Sequence, residues 1–198
     1  RISPMGCESL SAGLRENIPL KTLVLDFNAI GDQGATLLAE GMRHNRELIS
    51  LSLGYCQIGP LGGAVIGNEI IRCAKVKHLK LGGNRIMAPG LIAISRNLGK
   101  TESLLELDLS DNSILADNLA LNAMCEALRT NVSLQEVNLE HNVIEHEGAA
   151  MFMDTLQMCP NIKLFKISGQ GVGKEVYKEV FKDGKAAKKK GKKGKKKK

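Results

Sequence analysis

The amino-acid sequence predicts an α/β solenoid, a horseshoe with parallel strands on its concave face and helices on its convex face. Three observations predict this fold: apolar residues recur at a fixed period, each recurrence contains a strand-like alternation, and a helix-like spacing follows it. Aromatic residues make up only 3% of the chain and Trp is absent, so the core is expected to consist of aliphatic side chains. In such a fold each unit buries its apolar face against its neighbours.

The repeating unit has the apolar positions of Leu20, Leu23 and Leu25, followed by Asn28 and Ile30. Six copies can be aligned, and they begin at Leu20, Leu48, Val76, Leu104, Leu134 and Ile162. The intervals between these first residues are 28, 28, 28, 30 and 28 residues, a regularity that chance does not produce over five intervals. The sequence therefore predicts a stack of six similar units.

Each unit is expected to form a strand, a turn and a helix in that order. Leu23 and Leu25 alternate with polar residues, which places both side chains on the buried face of a strand. The turn residue that follows is expected to satisfy buried backbone groups, and it is Asn28, Cys56, Asn84, Asn112 and Asn142 in the first five copies. Helix-period apolar residues come next, as in residues 34–42. Because helices need about 10 Å between their axes and strands about 4.8 Å, the stack must curve.

The pattern departs from regularity in three places. Two extra residues lie between Ile114 and Leu134, so we expect a bulge around residues 115–118. The turn residue of the sixth copy is Gln170. Ile2 stands 28 residues before Ile30, so the sequence opens within a unit whose strand is absent. An open sheet edge is an aggregation hazard, and this predicts that further repeats precede residue 1.

A 28-residue period with a full helix in each unit resembles the ribonuclease-inhibitor subfamily of leucine-rich repeats. That subfamily pattern is shared by Ran GTPase-activating protein, tropomodulin and the NOD-like receptors. The resemblance covers residues 2–172 and implies a leucine-rich repeat solenoid. Because the scaffold hosts many unrelated partners, the resemblance implies the fold and leaves the partner open.

Three segments are expected along the chain: a repeat array over residues 1–172, a C-terminal capping helix over residues 173–184, and a disordered tail over residues 185–198. The capping helix is predicted from the helical spacing of Val176, Tyr177, Val180 and Phe181, with Gly184 placed to end it. A partner-binding helix is the alternative interpretation of the same apolar stripe.

The net charge of +7 comes from the tail, which holds ten Lys and no acidic residue, while the rest of the chain is about −3. We expect the tail to bind a polyanion, such as the acidic tails of tubulin, nucleic acid or an anionic membrane surface. Glycine-punctuated Lys tails resemble those of ciliary and flagellar structural proteins. Tubulin is favoured over nucleic acid because the rest of the chain is mildly acidic and offers no continuous basic face along which a duplex could bind. The residues assigned to this contact are Lys188, Lys189, Lys190, Lys192, Lys193, Lys195, Lys196, Lys197 and Lys198.

No catalytic, metal or cofactor motif is found in the sequence. The five Cys are odd in number and widely spaced, which favours reduced thiols in an intracellular protein. The four His lack partners at metal-ligand spacing on one helix face. The segment 169–174 fails as a phosphate loop because Ser168 stands where Gly is required and Glu175 where Ser or Thr is required. A non-enzymatic protein without cofactor is therefore predicted.

The concave face offers the candidate binding residues. Phe27 and Tyr55 occupy equivalent positions in neighbouring copies, and exposed aromatics are enriched at interface hot spots. The charged candidates are Lys77 and Lys80, beside His78, in the third copy, and Glu106, Asp108, Asp111, Glu136 and Glu140 in the next two. Such patterning can orient a charged partner. Two alternatives remain open. The aromatic residues could simply stack on each other or be covered by helices of a longer protein, and the charged residues could simply face solvent.

The sequence thus predicts an intracellular protein-interaction scaffold that binds another protein on its concave face, in the cytoplasm, with a cilium or the cytoskeleton as the candidate assembly. One alternative is a regulator of a small GTPase, in which Arg85 at a turn would stabilise charge during GTP hydrolysis. The other is a nuclear or nucleolar scaffold whose tail binds nucleic acid.

Overall fold

The computed structural model describes residues 1–16, 19–43, 45–72 and 75–169. Within these ranges six helices and six strands alternate along the chain. They are α1 (Pro4–Arg15), β1 (Thr22–Val24), α2 (Gly31–Met42), β2 (Ser50–Ser52), α3 (Pro60–Val65), β3 (His78–Lys80), α4 (Met87–Leu98), β4 (Glu106–Asp108), α5 (Asn118–Thr130), β5 (Glu136–Leu139), α6 (His146–Leu156) and β6 (Leu164–Ile167). Helix α3 continues as a π-helix over Ile66–Ile71.

The six strands form one open parallel sheet in the order of the sequence. Equivalent residues of successive repeats face each other, so Leu23 pairs with Leu51, Leu51 with Leu79, and Leu79 with Leu107. The same register continues through Val137 to Phe165. This register equals the repeat interval, and the predicted α/β solenoid of leucine-rich repeat type is confirmed.

The core lies between the sheet and the helix layer. Leu51, Leu79 and Leu107 at the centres of their strands are fully buried, as the alternation of the strands predicts. Two of the four Phe, Phe152 and Phe165, pack together at the C-terminal end with ring centroids 4.9 Å apart. Each fully buried side chain of this size stabilises the fold by about 1.5–3 kcal/mol, so continuous stacking of the repeats holds the molecule together.

The predicted turn residues form a hydrogen-bonded ladder inside the molecule. The Asn84 carboxamide oxygen accepts from the backbone N–H groups of Cys56 and Ile58, both at 3.0 Å. Its amide nitrogen donates to the carbonyls of Leu53 and Leu81, both at 2.8 Å. Cys56 takes the same place in the second repeat, where its thiol donates to the Leu25 carbonyl at 3.1 Å. Each ladder residue therefore ties its own turn to the preceding repeat.

A second ladder, which the sequence analysis did not identify, lies at the other end of the strands. Asn45 donates to the Leu14 carbonyl and accepts from the Leu48 N–H, and Asn131 makes the equivalent bonds to Leu98 and Leu134. Cys159 holds the corresponding position in the last repeat and donates to the Leu128 carbonyl. The sequence signal is an Asn, Thr or Cys three residues before the first apolar residue of a copy. These side chains donate hydrogen bonds to carbonyls near the C-terminal ends of helices one repeat earlier, which have no partner within their own helix.

The two irregular repeats differ in their helices. Helix α5 begins at Asn118, four residues after Ile114, whereas α2 and α4 begin directly after their equivalent Ile. The extra residues lengthen this loop, and the Asp117 carboxylate caps the helix by accepting from the Ala120 N–H at 3.0 Å.

The π-helix after α3 was not predicted. At Gly67 a Cβ would lie 2.9 Å from the Ala93 carbonyl oxygen, so this segment packs closely on α4.

Several sequence-based predictions fall outside the described residues: Gln170, the capping helix over 173–184 and the Lys-rich tail over 185–198. Within the described part of the chain, no helix combines the length and apolar character needed to cross a bilayer.

Candidate protein-binding surface

The concave surface is formed by the side chains that alternate with the buried strand residues. Two columns cross the sheet from β1 to β6, one through the strand position before the central buried residue and one through the position after it. The first column contains Thr22, Ser50, His78, Glu106, Glu136 and Leu164, and the second contains Val24, Ser52, Lys80, Asp108, Asn138 and Lys166. A third row follows in the turns, directly before the ladder residues.

Phe27 and Tyr55 lie next to each other in this third row and form an exposed aromatic stack. Their ring centroids are 4.8 Å apart and the rings are parallel to within 4°. Phe27 is 73% exposed and Tyr55 is 51% exposed. Neither ring is in the core, so the stack presents a flat aromatic surface to solvent. Val24, 61% exposed on β1, adds apolar surface in the same repeat.

The backbone beneath the stack is left-handed. Phe27 has φ of 59° and Tyr55 has φ of 54°. The equivalent residues of the next three repeats, Gly83, Asp111 and His141, have positive φ as well. Gly, Asp and His tolerate this conformation, whereas a bulky aromatic residue there is unusual and costs about 1–2 kcal/mol. The first two repeats therefore carry residues that the turn itself disfavours.

Gly83 provides the support for the Tyr55 ring. A Cβ at Gly83 would overlap the ring of Tyr55, so the ring lies directly against the Gly83 backbone. Gly54 and Gly82, the neighbours of Tyr55 and Gly83, also lack side chains. Phe27 covers one face of the Tyr55 ring and Gly83 lies at the ring, so the stack is held in place before any partner arrives.

The basic and acidic parts of the concave face are joined to each other. His78 Nδ1 lies 3.0 Å from Glu106 Oε2, and Lys80 Nζ lies 3.7 Å from Glu106 Oε1. Glu106 thus links two side chains of the preceding strand. Sequence spacing within one repeat does not reveal this link, whereas the 28-residue register between repeats does. Lys77 is exposed just before β3. The sequence analysis treated these charges as separate patches, and the structure brings three of them into one network.

A shallow groove of about 160 Å³ lies on the concave side of β4, β5 and β6. Its polar lining comprises Glu106, Asp108, Glu136, Asn138 and Lys166. Asp111 is exposed in the turn after β4, and Glu140 is half-buried in the turn after β5. The groove is therefore predominantly acidic. Its nearest strand, β4, lies two strands away from β2, the strand that Tyr55 follows.

Arg85, the residue of the GTPase hypothesis, is exposed in the turn after β3. Its backbone N–H donates to the Ile58 carbonyl at 2.8 Å. Across the described ranges the structure shows no ion pair of its guanidinium. The position is accessible from solvent.

Metal-binding and thiol chemistry receive no support from the described residues. They contain no group of three or more His, Cys, Asp or Glu side chains that could hold a metal ion. Cys7, Cys56, Cys125 and Cys159 are free and buried, and burial raises the pKa of each thiol. Since the thiolate is the reactive form, these thiols are poor nucleophiles and act as small core residues.

Comparison with a family model supports the repeat assignment. Residues 16–39, 44–67, 72–95 and 130–153 match the model described as "Leucine Rich repeat". This chain contains leucine-rich repeats. The matched segments begin four residues before Leu20, Leu48, Val76 and Leu134, in the register of the aligned copies. The copy that begins at Leu104, which carries the two extra residues, and the copy that begins at Ile162 are not among them.

Solved structures share the fold. The structure titled "Leiomodin-1 Actin-Binding Site 2 (ABS2)" matches with a TM-score of 0.65 and 16% identity, over 76% of this chain and 87% of that chain. A tropomodulin C-terminal domain from Caenorhabditis elegans matches with a TM-score of 0.63 and 21% identity, over 77% of this chain and 92% of that chain. At these identities the likeness shows the fold alone. No curated protein sequence shows significant similarity to the chain.

Proposed function

We propose that this protein is a non-enzymatic interaction scaffold that binds another protein on its concave face, with Phe27 and Tyr55 at the centre of the contact. The observation that carries this proposal is the exposed stack of two aromatic rings on left-handed backbone. Residues that have a strained backbone and do not pack in the core occur preferentially at functional sites. Neither ring is needed to fill the interior, so the compensating benefit is expected from a partner.

The stack has the properties of a binding hot spot. Aromatic residues supply a large contact area at low cost in side-chain entropy, and they dominate interface energetics. The stacking of Phe27 on Tyr55, supported by Gly83, fixes both rings in advance. A partner therefore loses little free energy in ordering the surface. Six strands at about 4.8 Å spacing give a face about 24 Å across, which fits a standard protein epitope.

The partner is proposed to be cytoskeletal. The support is the fold shared with the leiomodin-1 structure, which is named for an actin-binding site, and with the tropomodulin domain. Actin is thus the first partner to test on the concave face. We further propose that the repeats are of the ribonuclease-inhibitor type, that the array spans residues 1–172 with a cap over 173–184, and that the protein acts inside the cell, in a cytoskeletal or ciliary assembly.

The concave contact is tested by co-sedimentation with actin filaments and with microtubules. The double variant Phe27→Ala, Tyr55→Ala is compared with the matched double variant Ser50→Ala, Asn138→Ala, which alters polar side chains elsewhere on the same face. Loss of two hot-spot aromatics is expected to weaken binding by a factor of ten or more, while the control keeps wild-type binding. The far-UV circular dichroism of both variants should be unchanged. Wild-type binding of the aromatic variant to every tested partner contradicts the proposal.

The Lys-rich tail is proposed to bind a polyanion, with the acidic tails of tubulin favoured over nucleic acid. The support is its charge of ten Lys over residues 185–198, attached to a body of about −3. Removal of all residues after Gly184 should leave the melting temperature unchanged and weaken microtubule co-sedimentation at low salt. If microtubule binding persists without the tail while retention on DNA or RNA is lost, the nuclear or nucleolar alternative replaces this proposal.

The GTPase alternative rests on the exposed position of Arg85 in its turn. A single-turnover assay with a panel of small GTPases distinguishes it from the scaffold proposal. The control variant is Arg72→Ala, which changes an Arg on the helix side. If the wild-type protein stimulates GTP hydrolysis, and the stimulation disappears in Arg85→Ala but persists in the control, the protein is a GTPase regulator. The scaffold proposal expects no stimulation by the wild-type protein.

A further inference from the structure

Like charges face each other on the concave side of β4 and β5. Glu106 and Glu136 are directly opposite in the register of this strand pair, and like charges in that arrangement destabilise the pairing. His78 and Lys80 of β3 compensate the charge of Glu106. Glu136 is exposed, and among the described residues no cationic side chain forms an ion pair with it. The sheet therefore carries an uncompensated negative charge at this position.

Further carboxylates lie beside this pair. Asp108 lines the same groove from β4. Asp111 and Glu140 lie in neighbouring turns, where the Asp111 N–H donates to the Glu140 carbonyl at 2.8 Å. None of these three carboxylates forms an ion pair within the described part of the chain. Among the described groove-lining residues only Lys166 is cationic, against three carboxylates. We call the groove and these two turns the acidic groove.

Four carboxylates away from the acidic groove have local cationic partners. The ion pairs join Arg15 to Glu40, Lys21 to Glu47, Arg43 to Glu69 and Arg129 to Glu126. None of these residues lines the groove. The acidic groove differs because it gathers several carboxylates without such partners at one place on the sheet. Its like-charge strand pair adds a free-energy cost that a positively charged ligand removes.

The chain carries the missing positive charge in its own Lys-rich tail, where residues 185–198 hold ten Lys and no acidic residue. Lys185 follows Ile167, the last residue of β6, by 18 residues. An extended connection of this length spans up to about 60 Å, and a helix over 173–184 would still measure about 18 Å. Since β4 lies only about 10 Å from β6, across two strand spacings, the tail can reach the whole groove.

We propose that the Lys-rich tail binds the acidic groove of its own chain, as an autoinhibitory contact. Lysine ammonium groups of the tail pair with Glu136, Asp108, Asp111 and Glu140, and they relieve the repulsion between Glu136 and Glu106. A bound tail is withheld from an external polyanion, and the groove is withheld from a basic partner. The contact does not depend on the proposed polyanion binding, and it leaves the aromatic stack uncovered.

The covalent connection favours the tail of the same chain over the tail of a second copy. A binding segment joined to its own site has an effective concentration of up to about millimolar. A second copy reaches that value only when the protein itself is millimolar. Ion pairs at an exposed surface are individually weak, so at micromolar protein the contact within one chain forms first.

The contact is tested directly by carbodiimide cross-linking of the full chain, which joins a Lys to a carboxylate only when the two are in contact. Peptide mass spectrometry at low salt should find tail Lys joined to Glu136, Asp108, Asp111 or Glu140. The links should be lost in about 1 M salt, where the screening length is about 3 Å. Links spread evenly over all exposed carboxylates overturn the proposal. In a mixture of isotopically light and heavy protein, links that join only different copies overturn it too.

A competition experiment measures the inhibition, with polyglutamate as the polyanion probe and fluorescence anisotropy as the readout. The groove variant is Asp111→Asn, Glu136→Gln, Glu140→Gln, in which Asn suits the left-handed backbone at Asp111. The charge-matched control neutralises three exposed carboxylates elsewhere, Glu8→Gln, Glu102→Gln, Asp154→Asn.

The groove variant should bind the probe about fivefold more tightly than the control at low salt, because three weak exposed ion pairs no longer hold the tail. The difference should disappear at high salt. Equal affinities of the two variants overturn the proposal. If no variant binds the probe, the proposed polyanion contact of the tail fails, and the cross-linking result alone decides whether the tail binds the acidic groove.

Discussion

The interior ladder and the concave surface follow the same 28-residue register but use it in opposite ways. Along the ladder, Asn84, Asn112 and Asn142 are all buried, and each donates from its amide to a carbonyl of the preceding repeat. Directly before the ladder, the turn row changes in every repeat from Phe27 and Tyr55 to Gly, Asp and His. Residues that must satisfy the same buried groups stay the same, and residues that face solvent are free to differ.

This contrast separates the residues that specify the fold from those that could specify a partner. A ladder residue acts on its own repeat and on the preceding one, so its loss leaves several buried groups unpaired. In the turn row, by contrast, the side chains of Phe27 and Tyr55 are exposed and stack on each other. We therefore expect large effects on the free energy of unfolding from the ladder, and small ones from the concave surface.

The largest effect is expected for Asn84→Ala. The substitution removes four hydrogen bonds of 2.8–3.0 Å and a longer one of 3.5 Å, and it leaves two backbone N–H groups and three carbonyls without this partner. Since each buried unpaired group costs about 1–3 kcal/mol, the free energy of unfolding should fall by about 3–5 kcal/mol in urea titrations. Asn138→Ala on the concave face removes one bond, to the Glu140 N–H, and should cost less than about 1 kcal/mol. An equal loss of unfolding free energy in Asn84→Ala and Asn138→Ala would contradict the contrast between the ladder and the concave surface.

A smaller effect is expected for Gly83→Ala. The new methyl group would overlap the Tyr55 ring and would occupy left-handed backbone at φ of 72°. Gly31→Ala is the matched control, because Gly31 has φ of 61° but no atom within 4 Å of the added Cβ. The control should lose about 1 kcal/mol from backbone strain. Gly83→Ala should lose more, and it alone should weaken partner binding because the stack is displaced.

The sequence was sufficient to predict the parts of the molecule that repeat. The spacing of Leu23 and Leu25 placed the strands, and the recurrence of Asn28, Asn84 and Asn112 placed the ladder. The adjacency of Phe27 and Tyr55 followed from their shared position in the register. The contact of His78 with Glu106 follows from the same register, since both occupy one column of the sheet, although the spacing of His residues along single helices does not reveal it.

Features that depend on packing between particular repeats were not predictable. The π-helix over Ile66–Ile71 was not predicted, and at Gly67 it packs closely against α4. The left-handed backbone at Phe27 and Tyr55 was not expected, since bulky aromatics rarely adopt it. The Gly, Asp and His residues in the same row of later repeats were the available clue. The functional roles of the concave residues remain proposals, because a repeat pattern specifies where side chains lie and not what binds them.

A third prediction separates backbone strain from ring stacking at Phe27. Phe27→Asn relieves about 1 kcal/mol of left-handed strain and loses about 1 kcal/mol of stacking on Tyr55. Its free energy of unfolding should stay within about 0.5 kcal/mol of the wild type. Phe27→Ala loses the stacking and keeps the strain, so it should be less stable by about 1 kcal/mol. Chemical denaturation of both variants measures the difference. If Asn and Ala are equal at this position, the left-handed conformation stores no strain there.

The smallest effect, and the one that extends the comparison to pH, concerns the buried thiols. Burial raises the pKa of Cys7, Cys56, Cys125 and Cys159 above the usual value of 9.0. The folded state then holds these protons more tightly than the unfolded state, so stability should be full below about pH 9 and fall as the pH rises above it. Urea titrations between about pH 7 and pH 10 measure the slope. Cys125→Ala should reduce this slope, whereas Ser50→Ala on the concave surface should leave it unchanged. A slope that is the same in both variants would show that the interior thiols do not link folding to proton binding.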